Sequence, residues 1–410
     1  MTTPAAVPAA SVARRAPDRL AGNPWRFEDG TPRSVRRMHL LDVTMLYAPT
    51  SGGVVRYLRA KHAWLRRHTS IRHSLLVPGA EDAHGASGEI FLRTRTLRPH
   101  GHRWPLAAGR WSREIRDAAP DLIEVGDAGP EAWAALHAAR ALDVPLIAFC
   151  HSDIAKMAAR RLGALPGAAV RLYGREFYRR CDLVVTPSAF MRAQLNAWGV
   201  ERVVARPLGV DTDAFSPRRR VPALRREFGL PPRARVLAYA GRFSPEKNLH
   251  VLLDAFRALG PRYHLVLAGP QASLSLPPNV TLLPFLHSSL ELARILASVD
   301  GLVHAGDQET FGLIVLEAMA CGRGVIAPAA GAAPELVGTD AGILVPPRDA
   351  SALAEGILAF YEAGSDTLGE RARRRVEHGY TWDAAIRGML GIYRAALSPR
   401  TTEVPNYAAP

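Results

Sequence analysis

The 410-residue chain is 48% hydrophobic and carries 52 Lys+Arg against 38 Asp+Glu, a formal net charge of +14. One hydrophobic core rarely serves so long a chain, so two domains are expected. Apolar runs are short and interrupted by Arg, Asp or Pro, which excludes a span of roughly 20 apolar residues.

Residues 1–33 are Ala/Pro-rich and lack an apolar stretch followed by a small-residue cleavage site, so they read as a flexible tail rather than a secretory signal. Cys150, Cys181 and Cys321 are odd in number, far apart and outside any CxxC pattern. That argues against disulfides and zinc, and the cytoplasm is the expected compartment.

From residue 34 to 205, short β-branched or Leu-rich runs alternate with amphipathic stretches, the signature of an α/β domain with a doubly wound parallel sheet. HLLDVTML, HSLLV, DLIEV, VPLIAFC and DLVVTP read as strands, with helices starting near Val54, Pro130, Asp153 and Ser188. Residues 206–222, rich in Pro and Arg, read as a linker. A second α/β domain is expected over 223–380. Its strands are VLAYAGR, YHLVLAG, NVTLLPF, GLVHAG, GVIAP and GILVPP, and its helices span about 248–259, 288–298, 312–321 and 350–362. Residues 381–398 read as a closing helix and 399–410 as a tail.

Ligands of open α/β sheets gather beyond the carboxyl ends of the strands, where helix N-termini receive anions. Neither GxGxxG nor GxxxxGK[ST] occurs, so other loops must hold a phosphate. Gly52 and Gly53, in PTSGGVVRYL, could bring backbone N–H groups near one, although a Gly pair also marks an ordinary tight turn. Arg242 and Lys247, in AGRFSPEKN, could neutralise a diphosphate, Arg by its planar fork and Lys as a point charge. In GDQETFGLIVLEAMACG, Glu309 lies in a loop and Glu317 within an apolar helix, where its carboxylate needs a partner such as a sugar hydroxyl. His151 sits at a strand end before Asp153, a helix N-cap. Asp211-Thr212-Asp213 spells DxD but falls in the linker, so it is assigned to turn and capping chemistry and no metal is expected.

Together these segments resemble glycosyltransferase family four: a GG loop, His-x-Asp, PxGVD, GRxxxEKN, and two glutamates eight residues apart in a stretch ending EAMACG. The resemblance covers residues 35–395 and implies the GT-B fold, with the closing helix crossing back onto the first domain. It implies an acceptor bound by the first domain and a nucleotide-sugar donor by the second, with no other cofactor. Arg242 and Lys247 match the diphosphate contacts, Glu309 the carboxylate on the donor sugar, and Glu317 the one on the ribose. His151 matches the histidine beside that sugar, and Gly53 the glycine near the phosphate. Thr310, Phe311, Gly312 and Leu313 match the backbone donors to sugar hydroxyls. Retention of anomeric configuration is likewise implied by the resemblance; the expected reaction is hexosyl transfer from a UDP- or GDP-sugar to a glycan or lipid-linked acceptor, the lipid-linked alternative being suggested by the basic excess of residues 1–205. The chain departs from the family pattern at Leu208, at Gly324 and in GAAPE, residues 331–335.

Two other readings compete. The basic composition suggests nucleic-acid binding, but no basic-aromatic run or recognition helix occurs. A pyridoxal-phosphate phosphorylase needs a Schiff-base lysine, and of the three lysines only Lys247 lies at a cleft. Residues 1–205 carry 30 Lys+Arg against 18 Asp+Glu. That asymmetry suggests contact with an anionic membrane, through Arg56, Arg59, Lys61, Arg66 and Arg67 with Trp64 on the first helix, and Arg103, Arg110, Arg113 and Arg116 later.

Overall fold

The computed structural model describes residues 37–47, 52–86, 88–94, 108–126, 128–270, 275–284, 286 and 288–398. Both expected tails, and Arg103, lie outside these.

The first sheet and its helices run β1 (His39–Thr44), α1 (Gly52–His68), β2 (Arg72–Gly79), β3 (Ala83–His84), β4 (Glu89–Arg93), α2 (Ala108–Ala118), β5 (Leu122–Gly126), α3 (Pro130–Leu142), β6 (Leu146–Phe149), α4 (Ile154–Leu162), α5 (Ala164–Tyr178), β7 (Leu183–Thr186), α6 (Ala189–Ala197) and β8 (Val203–Ala205). Its strand order is β3-β4-β2-β1-β5-β6-β7-β8, parallel except for the β3–β4 pair. The second unit runs α7 (Leu224–Glu227), β9 (Arg235–Ala240), α8 (Leu249–Leu259), β10 (Tyr263–Ala268), β11 (Val280–Leu282), α9 (Ser289–Ser298), β12 (Gly301–Val303), α10 (Leu313–Ala320), β13 (Gly324–Pro328), α11 (Ala333–Val337), β14 (Gly342–Val345), α12 (Ala350–Glu362), α13 (Ser365–Gly379) and α14 (Trp382–Leu397). Its order, β11-β10-β9-β12-β13-β14, reverses at β9, as β1 reverses the first. Each sheet therefore has a switch point where a cleft opens at the strand ends.

Local chemistry fixes the helix starts. Asp153 accepts the Lys156 N–H and Ser188 accepts the Met191 N–H, capping α4 and α6, while Pro130 opens α3 with its preset φ. Asp211 Oδ1 accepts from the N–H groups of Asp213 and Ala214, the turn role expected of DxD. Helix α13 was not apparent from the sequence because only Leu368, Ala372 and Val376, with Gly369, make its buried stripe. So narrow a stripe is lost among its charges.

The chain crosses between the sheets twice, and the two crossings touch. Val210 N–H donates to the Tyr380 carbonyl, and a Cβ on Gly209 would lie 2.5 Å from the Trp382 nitrogen. Only glycine fits there. Helix α14 then packs on α1, so the closing helix does cross back onto the first domain.

That packing removes Lys61 from the expected membrane face of α1, while Arg59, Arg66 and Arg67 stay exposed. Lys61 is fully buried, 2.7 Å from Asp42 and 2.9 Å from Glu124, and it donates to the Tyr393 hydroxyl of α14. Trp64 donates to Asp383, and the Arg387 guanidinium lies over its ring. Arg56 turns into the cleft. Helical spacing showed which residues share a side of α1, but not that α14 covers part of it.

Candidate active site

The second sheet supplies a charged corner. At the end of β9, the Tyr239 hydroxyl donates to the Arg242 carbonyl at 2.7 Å and fixes the turn. A short 3-10 turn, Pro245–Lys247, follows, and Asn248 adopts a left-handed conformation with its amide bound to the Ala305 carbonyl. These contacts aim Lys247 at Glu309, with which it forms an ion pair. His304 Nε2 lies 3.1 Å from the same carboxylate. Because the Gly306 N–H donates to His304 Nδ1, the neutral ring keeps its proton on Nε2 and donates to Glu309.

Burial alone would raise the Glu309 carboxyl, but Lys247 and His304 outweigh it and hold the group well below the ordinary carboxylate range. Its backbone is fixed as well: the Ala332 N–H donates to its carbonyl, and a Cβ on Gly331, at φ +63°, would meet that oxygen at 2.8 Å. The GAAPE departure thus keeps the one glycine this approach requires. Arg242 is the outlier of the expected set, its side chain 69% exposed and 3.9 Å from Glu246. It stands beside the corner, turned to solvent.

Helix α10 starts after Gly312, at φ +96°, with no side-chain cap and no acid in its first turn. Its N–H groups and dipole favour an anion. Helix α1 also has no acid in its first turn, and its Gly53 faces α10 so closely that a Cβ would lie 3.2 Å from Leu313. Gly52 has open space around it. Phe311 is buried in the core, so it can offer a ligand little beyond backbone.

His151 lies opposite, at the end of β6. Its ring stacks on Phe149 at 4.3 Å, and burial, with Lys61 nearby, pushes it down to about 3. The imidazole is therefore neutral at ordinary pH. The Thr310 hydroxyl donates to the His151 carbonyl across the cleft at 2.9 Å, and Ser188 donates to the Thr310 carbonyl. The Glu335 carboxylate accepts the Ala189 and Phe190 N–H groups at the start of α6. These bonds close the two sheets on one another.

Glu317 is buried as expected, and its protein partner is Arg56 of α1. A ribose would therefore have to share or displace that guanidinium. The structure brings together Lys247 with Glu309, His151 with Thr310, and Gly53 with Leu313, while Arg242 stays outside. His304 and Glu335 join the site without having been singled out, and Arg56 and Ser188, read from the sequence as a membrane-facing cation and a helix start, join it as well. His304 carried a faint signal, a histidine at a strand end five residues before Glu309; Arg56 and Glu335 carried none, being joined to their partners only by tertiary contact. Among the described residues no cluster of His, Cys, Asp or Glu could hold a metal, and Cys150, Cys181 and Cys321 are buried thiols that form no disulfide. A further depression lies elsewhere, along α13, where Arg375 is committed to the Glu335 and Leu336 carbonyls. Asp340, Arg371, Arg374, His378 and Tyr380 also line it, none of them part of the corner around Glu309, and we assign it no part in the chemistry.

Residues 234–363 match the family profile described as glycosyl transferases group 1, and residues 51–214 that of glycosyltransferase family 4. A GDP-mannose-dependent alpha-mannosyltransferase of Mycobacterium tuberculosis is 30% identical over 324 residues, covering 78% of this chain and 83% of that protein. A GDP-mannose-dependent alpha-(1-6)-phosphatidylinositol dimannoside mannosyltransferase of the same species is 28% identical over 404 residues, covering 90% and 100%. Sucrose-phosphate synthase from Thermosynechococcus elongatus superposes with a TM-score of 0.74 at 22% identity, over 87% of this chain and 98% of that one. Anabaena HepE, solved with UDP and glucose, gives 0.67 at 20% identity, over 87% and 99%. The chain belongs to glycosyltransferase family 4 and is a nucleotide-sugar-dependent glycosyltransferase of the GT-B fold.

Proposed function

We propose that the enzyme transfers a mannosyl unit from GDP-mannose, with retention of anomeric configuration, to a hydroxyl of a glycan or lipid-linked acceptor held by the first domain. The observation that carries this reading is the Lys247–Glu309–His304 group set across the cleft from His151, joined to it through Thr310. The GDP-mannose dependence printed for the two mycobacterial relatives supports the donor.

In this scheme Lys247, with Arg242 swung inward and the α10 N–H groups, stabilises charge developing on the departing diphosphate. The ionised Glu309 orients hydroxyls of the donor sugar, and Glu317 receives the ribose diol. His151, held neutral, hydrogen-bonds the sugar near the reacting carbon. The acceptor oxygen attacks from the face the leaving group departs, and its proton passes to a diphosphate oxygen. Two cations supply the charge a metal would bring, so chelation is expected to leave turnover intact.

Thermal shift across GDP, UDP, ADP and their sugars tests the donor, since a ligand of the native state raises its apparent stability. GDP and GDP-mannose should give the largest shifts, and nuclear magnetic resonance of the product should show the donor's anomeric configuration. A preference for UDP-sugars would overturn the donor, an inverted product the mechanism, and a strict manganese requirement the role given to Lys247 and Arg242.

A further inference from the structure

The helical hairpin formed by α4 and α5 combines exposed apolar side chains with a high positive charge. Residues 154–180 contain seven Lys or Arg against a single acid, Glu176, which is itself paired with Arg180. Of six large hydrophobic residues exposed among the described residues, four lie here: Leu162 at 71%, Leu165 at 84%, Leu172 at 57% and Tyr173 at 42%. Isolated exposed leucines are ordinary, but four within twelve residues are not.

The hairpin is also stiff. Gly163, at φ +102°, turns the chain between the helices, and a Cβ on Gly167 would lie 2.4 Å from the Ala159 Cβ. The helices thus press on one another through small residues, and Phe177 and Tyr178 anchor α5 in the core. Leu165 and Leu172, seven residues apart, fall within about 20° of one another around the helix. With Leu162 ending α4 at the tip of the same hairpin, they make an exposed apolar ridge, and Arg161 and Arg171, each next to one of these leucines in sequence, are exposed as well.

Its position ties it to the cleft. Helix α4 begins three residues after His151, and Arg160 reaches the Gln308 side chain at 3.0 Å with that amide turned to present its oxygen. We infer that the α4–α5 hairpin docks the enzyme on an anionic lipid surface, Leu162, Leu165 and Leu172 entering the headgroup layer while Arg161 and Arg171 contact anionic headgroups. The charge selects the occupant: a second copy would set like charges against one another, whereas an acidic bilayer offers both an apolar interior and a negative surface. The inference deepens the reading of a lipid-linked acceptor and rests on it for its purpose, but docking is measured without donor or acceptor and so fails or stands apart from turnover.

The test is flotation of the full chain at low salt with vesicles of phosphatidylcholine alone or of equal parts phosphatidylcholine and phosphatidylglycerol. Wild type should float with the acidic vesicles only. Leu162→Ser/Leu165→Ser/Leu172→Ser should reduce binding more than tenfold, and Arg161→Glu/Arg171→Glu at least about fivefold per charge, with unchanged melting temperatures. Arg66→Glu/Arg67→Glu, on exposed α1 positions outside the hairpin, should reduce it far less. Wild type that ignores acidic vesicles, or hairpin variants that float as wild type does, would overturn the inference. So would light scattering that shows the serine variant splitting a wild-type dimer, which would give the ridge to a second copy.

Discussion

Replacing Lys61 by Met tests how the crossing helix is held. Lys61 is fully buried between Asp42 at 2.7 Å and Glu124 at 2.9 Å, and it donates to Tyr393 at 2.9 Å. Burial would raise Asp42, yet Lys61 and His73 outweigh it and hold that carboxyl below its ordinary value, while burial leaves Glu124 raised. Removing the ammonium strands both carboxylates in the core, a loss of about 3–5 kcal/mol for a broken buried pair. Both keep other donors, His73 to Asp42 and the Tyr57 and Tyr393 hydroxyls to Glu124, so the lower end applies. For units of this size, about 3 kcal/mol lowers the melting temperature by roughly 6–12 °C. Scanning calorimetry reads it directly. Lys61→Met/Glu124→Gln should recover part of the loss, because one stranded charge is gone. A single-variant shift under about 2 °C, or a double variant worse than both singles combined, would refute the ion-pair account.

Glu309→Gln and Glu317→Ala should each lower kcat/KM by about 10- to 150-fold, the worth of one charge-assisted hydrogen bond, while the fold survives; wild-type turnover in both would remove them from the site. Arg242→Ala/Lys247→Ala should weaken GDP far more than guanosine in calorimetric titration, and equal losses would mean that neither side chain meets phosphate. His151 is held at about 3 against 6.5 unfolded, so the unfolded chain takes up the proton first and stability falls as pH drops below 6.5. That costs about 1.4 kcal/mol per pH unit, or roughly 2–3 kcal/mol by pH 4.5. His39, His62 and His264, also lowered, share this acid limb, so the comparison is wild type against His151→Gln. The variant should lose less stability between pH 6.5 and 4.5, and superimposed curves would disprove the assignment.

Much of the fold was legible because its signals are local. Apolar runs of strand length, the caps at Asp153 and Ser188 and the proline at Pro130 placed elements near where they lie, since each depends on a few neighbouring residues. The same locality made Lys247, Glu309, Glu317 and His151 visible as charged or polar groups at strand ends or inside an apolar helix.

What the sequence could not decide was pairing, because a partner is chosen by three-dimensional approach and not by spacing. Glu317 needed a partner, and only the closed cleft supplied Arg56, 261 residues away. Lys61 read as one more surface cation until α14, 332 residues on at Tyr393, covered it. The basic asymmetry of the first half was plain from the chain alone. That its outward, apolar-flanked portion lies on α4–α5 rather than α1 was fixed by tertiary packing, which buries one amphipathic helix face and leaves another open to solvent.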